Sequence, residues 1–426
     1  MRKVQVIFGT VALLILQACS AHKSEEQEAA AIQLPVNGIA RGAYLTKNQH
    51  GEAVLCWTEL DTADSLNCLK YAVYDSIKNV FGQAITVYSS RGCGASAESM
   101  AKVAFKADGA IIAVFAKPFP KEKNRFAGAI YYSMSADQGK SWLPAAFLHS
   151  DTSHAYGRNF FDITTLNDGE VAAIWLDGRF GKTIKGSALY FSRTQKQGGF
   201  GREACLLKGT CECCRTELLQ DSQGTVHLAL RDIMEVGQLQ DNAKQVRDMI
   251  YMRSTSGGNG FAAPEVVSSD NWEVSGCPHS GPSLAVAGNR VHAVWFTAGG
   301  APGVYYTSRE RNSGKFRPRT LVSSKGRHPQ MVALPNGVQA IVCEETEAAV
   351  EHHTHGHQAE QTEGSSIVLR YLSHGQIQAK SLITNGQFAD SHAVLLPLSG
   401  RILLAWERKE PSGTKIYYQL TNSKIY

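Results

Sequence analysis

The hydrophobic positions of this chain fall into short runs separated by polar turns, and the same alternation returns at a regular interval. An apolar strand, mostly with an aromatic centre, recurs as Leu69-Lys70-Tyr71, Ile130-Tyr131-Tyr132, Leu189-Tyr190-Phe191, Ile250-Tyr251-Met252, Val304-Tyr305-Tyr306, Val368-Leu369-Arg370 and Ile416-Tyr417-Tyr418. Copies lie about 58 residues apart, the period of a repeat whose units carry long loops. A second apolar run precedes each copy, ending at Trp57, Phe115, Trp175, Leu230, Trp295, Cys343 and Trp406. Ahead of each of those runs stands a glycine turn, at Gly51, Gly109, Gly169, Gly224, Gly288, Gly337 and Gly400. Several of these turns read Asp-Gly or Asn-Gly, a strong hairpin signal.

Each unit therefore reads strand A, tight turn, strand B, variable loop, strand C, turn, strand D. The pattern predicts an all-β fold, a single β-propeller of four-stranded blades, seven by repeat count with six as the alternative. The last unit stops after its strand C, at Thr421. The extended segment from Ala31 to Val36 is expected to supply the missing outer strand, closing the last blade and covering an edge open to aggregation.

The ends add a location. Arg2 and Lys3 precede an apolar run from Val4 to Leu16, then Leu16-Gln17-Ala18-Cys19. The run is shorter than the roughly 20 residues that span a bilayer as a helix, and it reads as a lipoprotein signal peptide over residues 1–18. Cys19 would then be the lipidated residue, residues 19–30 a flexible tether and residues 31–426 the propeller. The expected location is the cell envelope, with membrane contact through the N-terminal lipid only. Ser20 after the cysteine favours the outer membrane. The expected state is a monomer.

Composition narrows the partners. The formal net charge is +5 with 43% hydrophobic residues. No basic run stands out, so nucleic acid is not an expected partner. Of ten cysteines, nine remain once Cys19 is assigned to lipid, an odd number in a compartment that permits disulfides.

Between strands C and D of the second unit stands Ser135-Ala136-Asp137-Gln138-Gly139-Lys140-Ser141-Trp142. This segment resembles the Asp-box, the BNR repeat turn of the sialidase-like propeller family. In that turn the aspartate accepts backbone N–H bonds, the glycine allows a positive φ and the tryptophan packs back into the blade. Degenerate copies run from Ser254 to Phe261 and from Ser308 to Phe316. The chain departs from the family where a Phe/Tyr-Arg-Ile-Pro segment usually opens the domain, reading Ile39-Ala40-Arg41-Gly42-Ala43-Tyr44 instead. The resemblance implies an exo-sialidase type of glycoside hydrolase that needs no cofactor, with an arginine cluster holding a substrate carboxylate.

Strand alternation places the D-to-A connections and B-to-C loops on one face. Its guanidinium and imidazole candidates for binding an anionic glycan, of sialic acid or uronate type, are Arg41, Arg158, Arg215, Arg327, His279 and His328. Planar guanidinium forks suit carboxylate, sulfate or phosphate. Asp177, Glu344, Glu407 and Tyr156 are the candidates for proton transfer or nucleophilic attack. A carboxylate pair about 5 to 5.5 Å apart would mark a retaining glycosidase. The alternative is a non-catalytic propeller gripping a glycan or a protein with the same rim.

A third alternative is metal handling. Cys211-Glu212-Cys213-Cys214, with Cys277-Pro278-His279 one unit later, offers soft ligands for copper or zinc, with Cys213, Cys214 and Cys277 as candidates. The tract carrying His352, His353, His355 and His357 adds imidazoles to the longest B-to-C loop. Disulfides are the other reading of the cysteines, for instance Cys56 with Cys68 across one hairpin, or Cys205 with Cys211 across a short connection.

Overall fold

The computed structural model describes residues 30–234, 245–274, 276, 279–312, 314–346 and 364–421. Apart from two three-residue 3-10 turns, Tyr88–Ser90 and Gly178–Phe180, its regular elements are β-strands. Most pair antiparallel in sets of four, in chain order. The sets open with Ala40–Lys47, Lys102–Phe105, Arg158–Thr165, Glu217–Gln220, Ser283–Ala287, Gly326–Ala333 and Ala389–Leu398. Each of these first strands contacts the first strand of the next set, and Ala389–Leu398 contacts Ala40–Lys47 again. The first strands thus surround a common axis, a propeller-like arrangement. The last two sets join into one sheet only through a single parallel pair, Ser365 with Ala389.

The start of the described chain lies against its end. Ile32 and Gln33 pair antiparallel with Tyr418 and Tyr417, and the Leu34 amide donates to the Ile416 carbonyl at 2.8 Å. Gly413–Leu420 is the third strand of the last set, so this segment occupies the outer position there.

The second strand of a set is buried on both faces, because each sheet packs between two others. Val171–Asp177 is buried along its whole length, and Trp57, Trp175, Trp295 and Trp406 are all at most 1% exposed. Side chains of one strand alternate between two cores. Leu403 and Ala405 pack with Trp57 and Tyr74 of the first set, whereas Leu404 and Trp406 pack with Val342 and Leu369 of the preceding one. The core that joins last set to first also takes Leu34.

The turn at Ser135–Trp142 has the geometry its residues predict. Asp137 Oδ1 accepts from the Ser141 amide at 2.8 Å, the Gly139 amide donates to Ser135 Oγ at 2.8 Å, and Gly139 has φ +85°. Trp142 meets Tyr71 of the preceding set edge-on, with centroids 6.4 Å apart. The same relation recurs as Phe200 on Tyr132, Phe261 on Phe191 and Phe316 on Tyr251. The aromatic of each of these C-to-D turns clamps its sheet to the one before, which explains why glycine and aromatic persist where the rest of the motif decays.

Two expected disulfides are absent. Cys56 is opposite Tyr71 and Cys68 opposite Glu59, three register steps apart, which separates them by about 10 Å along the ladder. Cys205 pairs with Tyr190 and Thr210 with Ser187, three register steps or about 10 Å apart, so Cys211, one residue beyond Thr210, is out of reach of a bond that needs neighbouring Cα atoms. All four are free thiols.

Candidate functional site on the axial rim

Four first strands carry the same irregularity near their start. The register slips between Arg41 and Tyr44, Asn159 and Asp162, Arg327 and Gln330, and Ser391 and Val394. At each slip one residue takes positive φ: Gly42 at +71°, Phe160 at +49°, His328 at +44° and His392 at +51°. These are β-bulges, which bend the strand and re-aim a side chain. For histidine and phenylalanine the left-handed conformation costs on the order of 1 kcal/mol, so surrounding contacts must hold it.

For the two histidines those contacts converge on Glu344, 1% exposed, whereas the Gly42 amide donates to Glu407 and the Phe160 amide to Ser99 Oγ. Glu344 Oε1 bonds His328 Nδ1 in a short contact, and its Oε2 accepts from the His392 amide at 3.1 Å. The two imidazoles stack with centroids 4.1 Å apart. Burial lowers the His328 pKa, but the Glu344 charge and hydrogen bond outweigh it, and His328 ends above its ordinary value. Burial, with the His328 charge beside it, pushes His392 down to about 4. Of the two rings His328 therefore takes a proton more readily than an ordinary histidine, and His392 is the neutral one near pH 7. His392 Nδ1 lies 3.1 Å from Ser391 Oγ, while its Nε2 is buried without a hydrogen-bond partner, 3.9 Å from Glu98 Oε1. With Nδ1 protonated toward the serine, Nε2 carries the lone pair.

Around this pair stand three guanidinium groups in two different states. Arg215 is tied down: it bonds Glu98 Oε1 at 3.2 Å and the carbonyls of Pro282 and Pro329 at 3.4 and 3.1 Å. Arg41 and Arg327 have no ion pair among the described residues, Arg41 being exposed and Arg327 lying 5.3 Å above the Phe296 ring. Glu407 is buried with one hydrogen bond, from the Gly42 amide at 2.6 Å. Burial pushes its carboxyl up to about 7, against the opposing pull of Gly42 and Arg41. Glu98 Oε2 is also buried and without a partner. Orphaned buried atoms such as this one and His392 Nε2 mark where a bound polar group would be accommodated.

Two of the other expected residues are committed to each other. Asp177, a candidate for proton transfer, and Arg158, a candidate for anion binding, are bonded to each other at 3.1 Å. Asp177 is further held by Arg179 at 2.6 Å and Arg158 by Asp151 at 2.8 Å. That network is closed, and its charges hold loops in place. The Arg158 guanidinium lies 5.8 Å from the Tyr156 ring, and the His279 ring lies 6.5 Å from Phe160. Cys213 and Cys214 are buried together with Cys211 against Phe160. Cys19, Cys277, His352, His353, His355 and His357 lie outside the described residues.

Some residues of this region escaped the sequence reading. Glu98 lies in the long connection before Lys102, and only its position in a D-to-A segment signals it. Below the rim, Lys102 bonds Asp162 at 2.5 Å, and burial beside Asp162 pushes the Glu217 carboxyl up to about 8. Glu98, His328 and His392 present one ligand atom each within 4.8 Å of one another, as do Cys211, Cys213 and Cys214. The first set is suited to a divalent cation in donor type, with Glu98 already engaged by Arg215.

No protein-family model matches this sequence, and no curated protein sequence matches it. Solved structures do resemble the fold. The polysaccharide lyase Uly1 aligns over 95% of this chain and 94% of its own with a TM-score of 0.55 and 11% identity. A Dyadobacter fermentans protein of unknown function aligns over 93% and 98%, with a TM-score of 0.51 and 13% identity. The Trypanosoma rangeli sialidase with bound sialic acid aligns over 82% of this chain and 56% of its own, with a TM-score of 0.45 and 9% identity. The chain shares its all-β, propeller-like fold with Uly1 and the Dyadobacter fermentans protein.

Proposed function

We propose that this chain is a glycan-cleaving enzyme that acts on a uronate-containing polysaccharide by β-elimination at the axial rim. The observation that carries the reading is the Glu344-bridged histidine pair, with an unpartnered His392 Nε2, beside the unpaired Arg41 and Arg327. Elimination needs a cation to hold the uronate carboxylate, a base for the proton α to it, and an acid for the leaving oxygen. Arg41 and Arg327 supply the first, beside a His328 whose affinity for a proton is raised by Glu344. Neutral His392 takes the C5 proton at Nε2. The C5–H pair of electrons becomes the C4–C5 double bond, the C4–O bond breaks, and the protonated Glu407 carboxyl delivers its proton to the departing oxygen. Hydrolysis by two carboxylates is less well served, because Asp177, Glu98 and Glu344 are each held by a cation. Uly1, whose fold this chain resembles, is a polysaccharide lyase, the same reaction class.

We further read residues 31–426 as one seven-bladed propeller, with Ile32–Gln33 completing the last blade. The cycle of contacts among the first strands and the core shared by first and last sets support that count. On the sequence pattern at Cys19, the enzyme is lipid-anchored in the cell envelope.

The test is incubation of the purified protein with a panel of uronate polysaccharides, sulfated sugars and sialosides, following the ultraviolet absorbance of a conjugated unsaturated uronate. Absorbance growing with chain cleavage is the expected result. New reducing ends without absorbance would establish hydrolysis instead, and binding without cleavage would establish a glycan-binding propeller.

A further inference from the structure

The connection between the outer strand Ala204–Thr210 and the first strand Glu217–Gln220 folds three thiols into one buried point. Cys211, Cys213 and Cys214 are at most 4% exposed. Their sulfur atoms all lie within 4.8 Å of one another, with Cys211 Sγ 3.9 Å from Cys213 Sγ and 3.6 Å from Cys214 Sγ. Those separations are far longer than the roughly 2.05 Å of a disulfide. They match the spacing of thiolates around one ion. A metal–sulfur bond of about 2.3 Å, as in zinc thiolates, sets ligands about 3.8 Å apart in a tetrahedron and about 4.0 Å apart in a trigonal plane.

The surroundings suit thiolates rather than packed apolar cysteines. Arg247 Nη1 points at Cys211 Sγ from 3.2 Å and at Glu212 from 3.1 Å, so a guanidinium offsets negative charge at the cluster. Glu212, which separates two of the thiols in sequence, is thereby drawn toward Arg247 and leaves the sulfur atoms to face one another. Phe160, at one of the bulges of the rim, packs against the cluster and helps exclude water.

We infer that Cys211, Cys213 and Cys214 form a copper(I) site. Zinc in closed protein sites almost always takes four ligands, and among the described residues no fourth histidine, cysteine or carboxylate joins this group. Three soft sulfur donors suit monovalent copper. Binding displaces the thiol protons to solvent and involves no electron transfer. Cys214 immediately precedes Arg215, so a bound ion would also fix the backbone from which Arg215 reaches Glu98 and the Pro282 and Pro329 carbonyls.

The test uses the full chain, reduced without a thiol reagent under anaerobic conditions and titrated with copper(I) against a chromogenic chelator. The expected result is one copper(I) per chain with a thiolate-to-copper ultraviolet band. Cys211→Ser and Cys214→Ser should each weaken binding by about 100-fold. A variant with alanine at His352, His353, His355 and His357 should retain the tight site. Far-ultraviolet circular dichroism checks that each variant is folded. Four outcomes would overturn the inference: no stoichiometric copper(I) uptake, uptake lost only with the histidine variant, zinc taken in preference to copper(I), or a disulfide among these thiols in the anaerobically purified protein.

Discussion

The imidazoles of His328 and His392 lie face to face, centroids 4.1 Å apart and 23° from parallel, on two first strands that bulge at the same point. Two positive charges at that distance repel, so the first proton taken by the pair makes the second harder to add. Glu344 decides which ring keeps it, by bonding the His328 side chain and only the His392 backbone. The arrangement holds His392 down to about 4 beside a His328 raised above its ordinary value, and Glu407, with its carboxyl raised to about 7, gives the rim a proton donor that persists toward neutral pH.

Turnover should therefore follow a bell-shaped pH profile. The acid limb rises as His392 loses its proton near pH 4, and the alkaline limb falls as Glu407 loses its proton near pH 7. His392→Gln and Glu407→Gln should each reduce kcat by about 10²- to 10⁴-fold, and Glu407→Gln should also erase the alkaline limb. Initial rates across pH, with thermal unfolding as a control for folding, check both.

The same carboxyl links stability to pH. Burial raises Glu407 from 4.5 to about 7, so the folded chain holds a proton that the unfolded chain releases between those values. The stability from this group is fully present below about pH 4.5 and is lost as pH rises through about 7. Glu407→Gln should flatten the dependence of Tm on pH over that window, measured by calorimetry.

Arg41 and Arg327 should separate from Arg158 in what they change. Arg41→Ala and Arg327→Ala are expected to raise KM for an acidic glycan by about tenfold or more, with little change in Tm. Arg158→Ala leaves Asp177 buried beside a single remaining guanidinium, that of Arg179, and should cost about 3 to 5 kcal/mol of stability. Parallel Michaelis–Menten and denaturation measurements distinguish the two classes.

At the C-to-D turn, Gly139→Ala is expected to destabilise by about 1 to 3 kcal/mol. Its φ is +85°, and an added Cβ would meet Tyr71 Oη at 2.3 Å. Trp142→Ala should have an effect of about 3 to 5 kcal/mol by opening the contact with Tyr71. Urea unfolding reads both, and turnover per folded molecule should be unchanged because the turn lies away from the rim.

The rim is legible in outline from the strand pattern, because strand alternation sends every D-to-A connection to one face. Within it, His328 and Glu344 read as separate candidates, a binder and a catalyst, and nothing in their sixteen-residue spacing shows that one carboxylate holds two histidines. Asp177 and Arg158 read as site residues for the same reason in reverse. Their separation along the chain does not reveal that they face each other across a ladder and neutralise one another. Glu98 gave no signal beyond its position, since its role depends on Arg215, 117 residues away.

The amino-acid sequence by itself determined the strand pattern of this protein. Each unit buries its own alternating apolar positions and makes its own turns, so the unit is a local property repeated along the chain. The extended segment expected to cover the last edge pairs there as Ile32–Gln33, against Tyr418 and Tyr417. What only the tertiary structure decided is which charged groups are spent and which are left over. That depends on distances of a few ångströms between residues from different units, where Arg158 and Asp177 cancel, Arg41 and Arg327 do not, and three thiols in one short loop turn their sulfur atoms toward a single point.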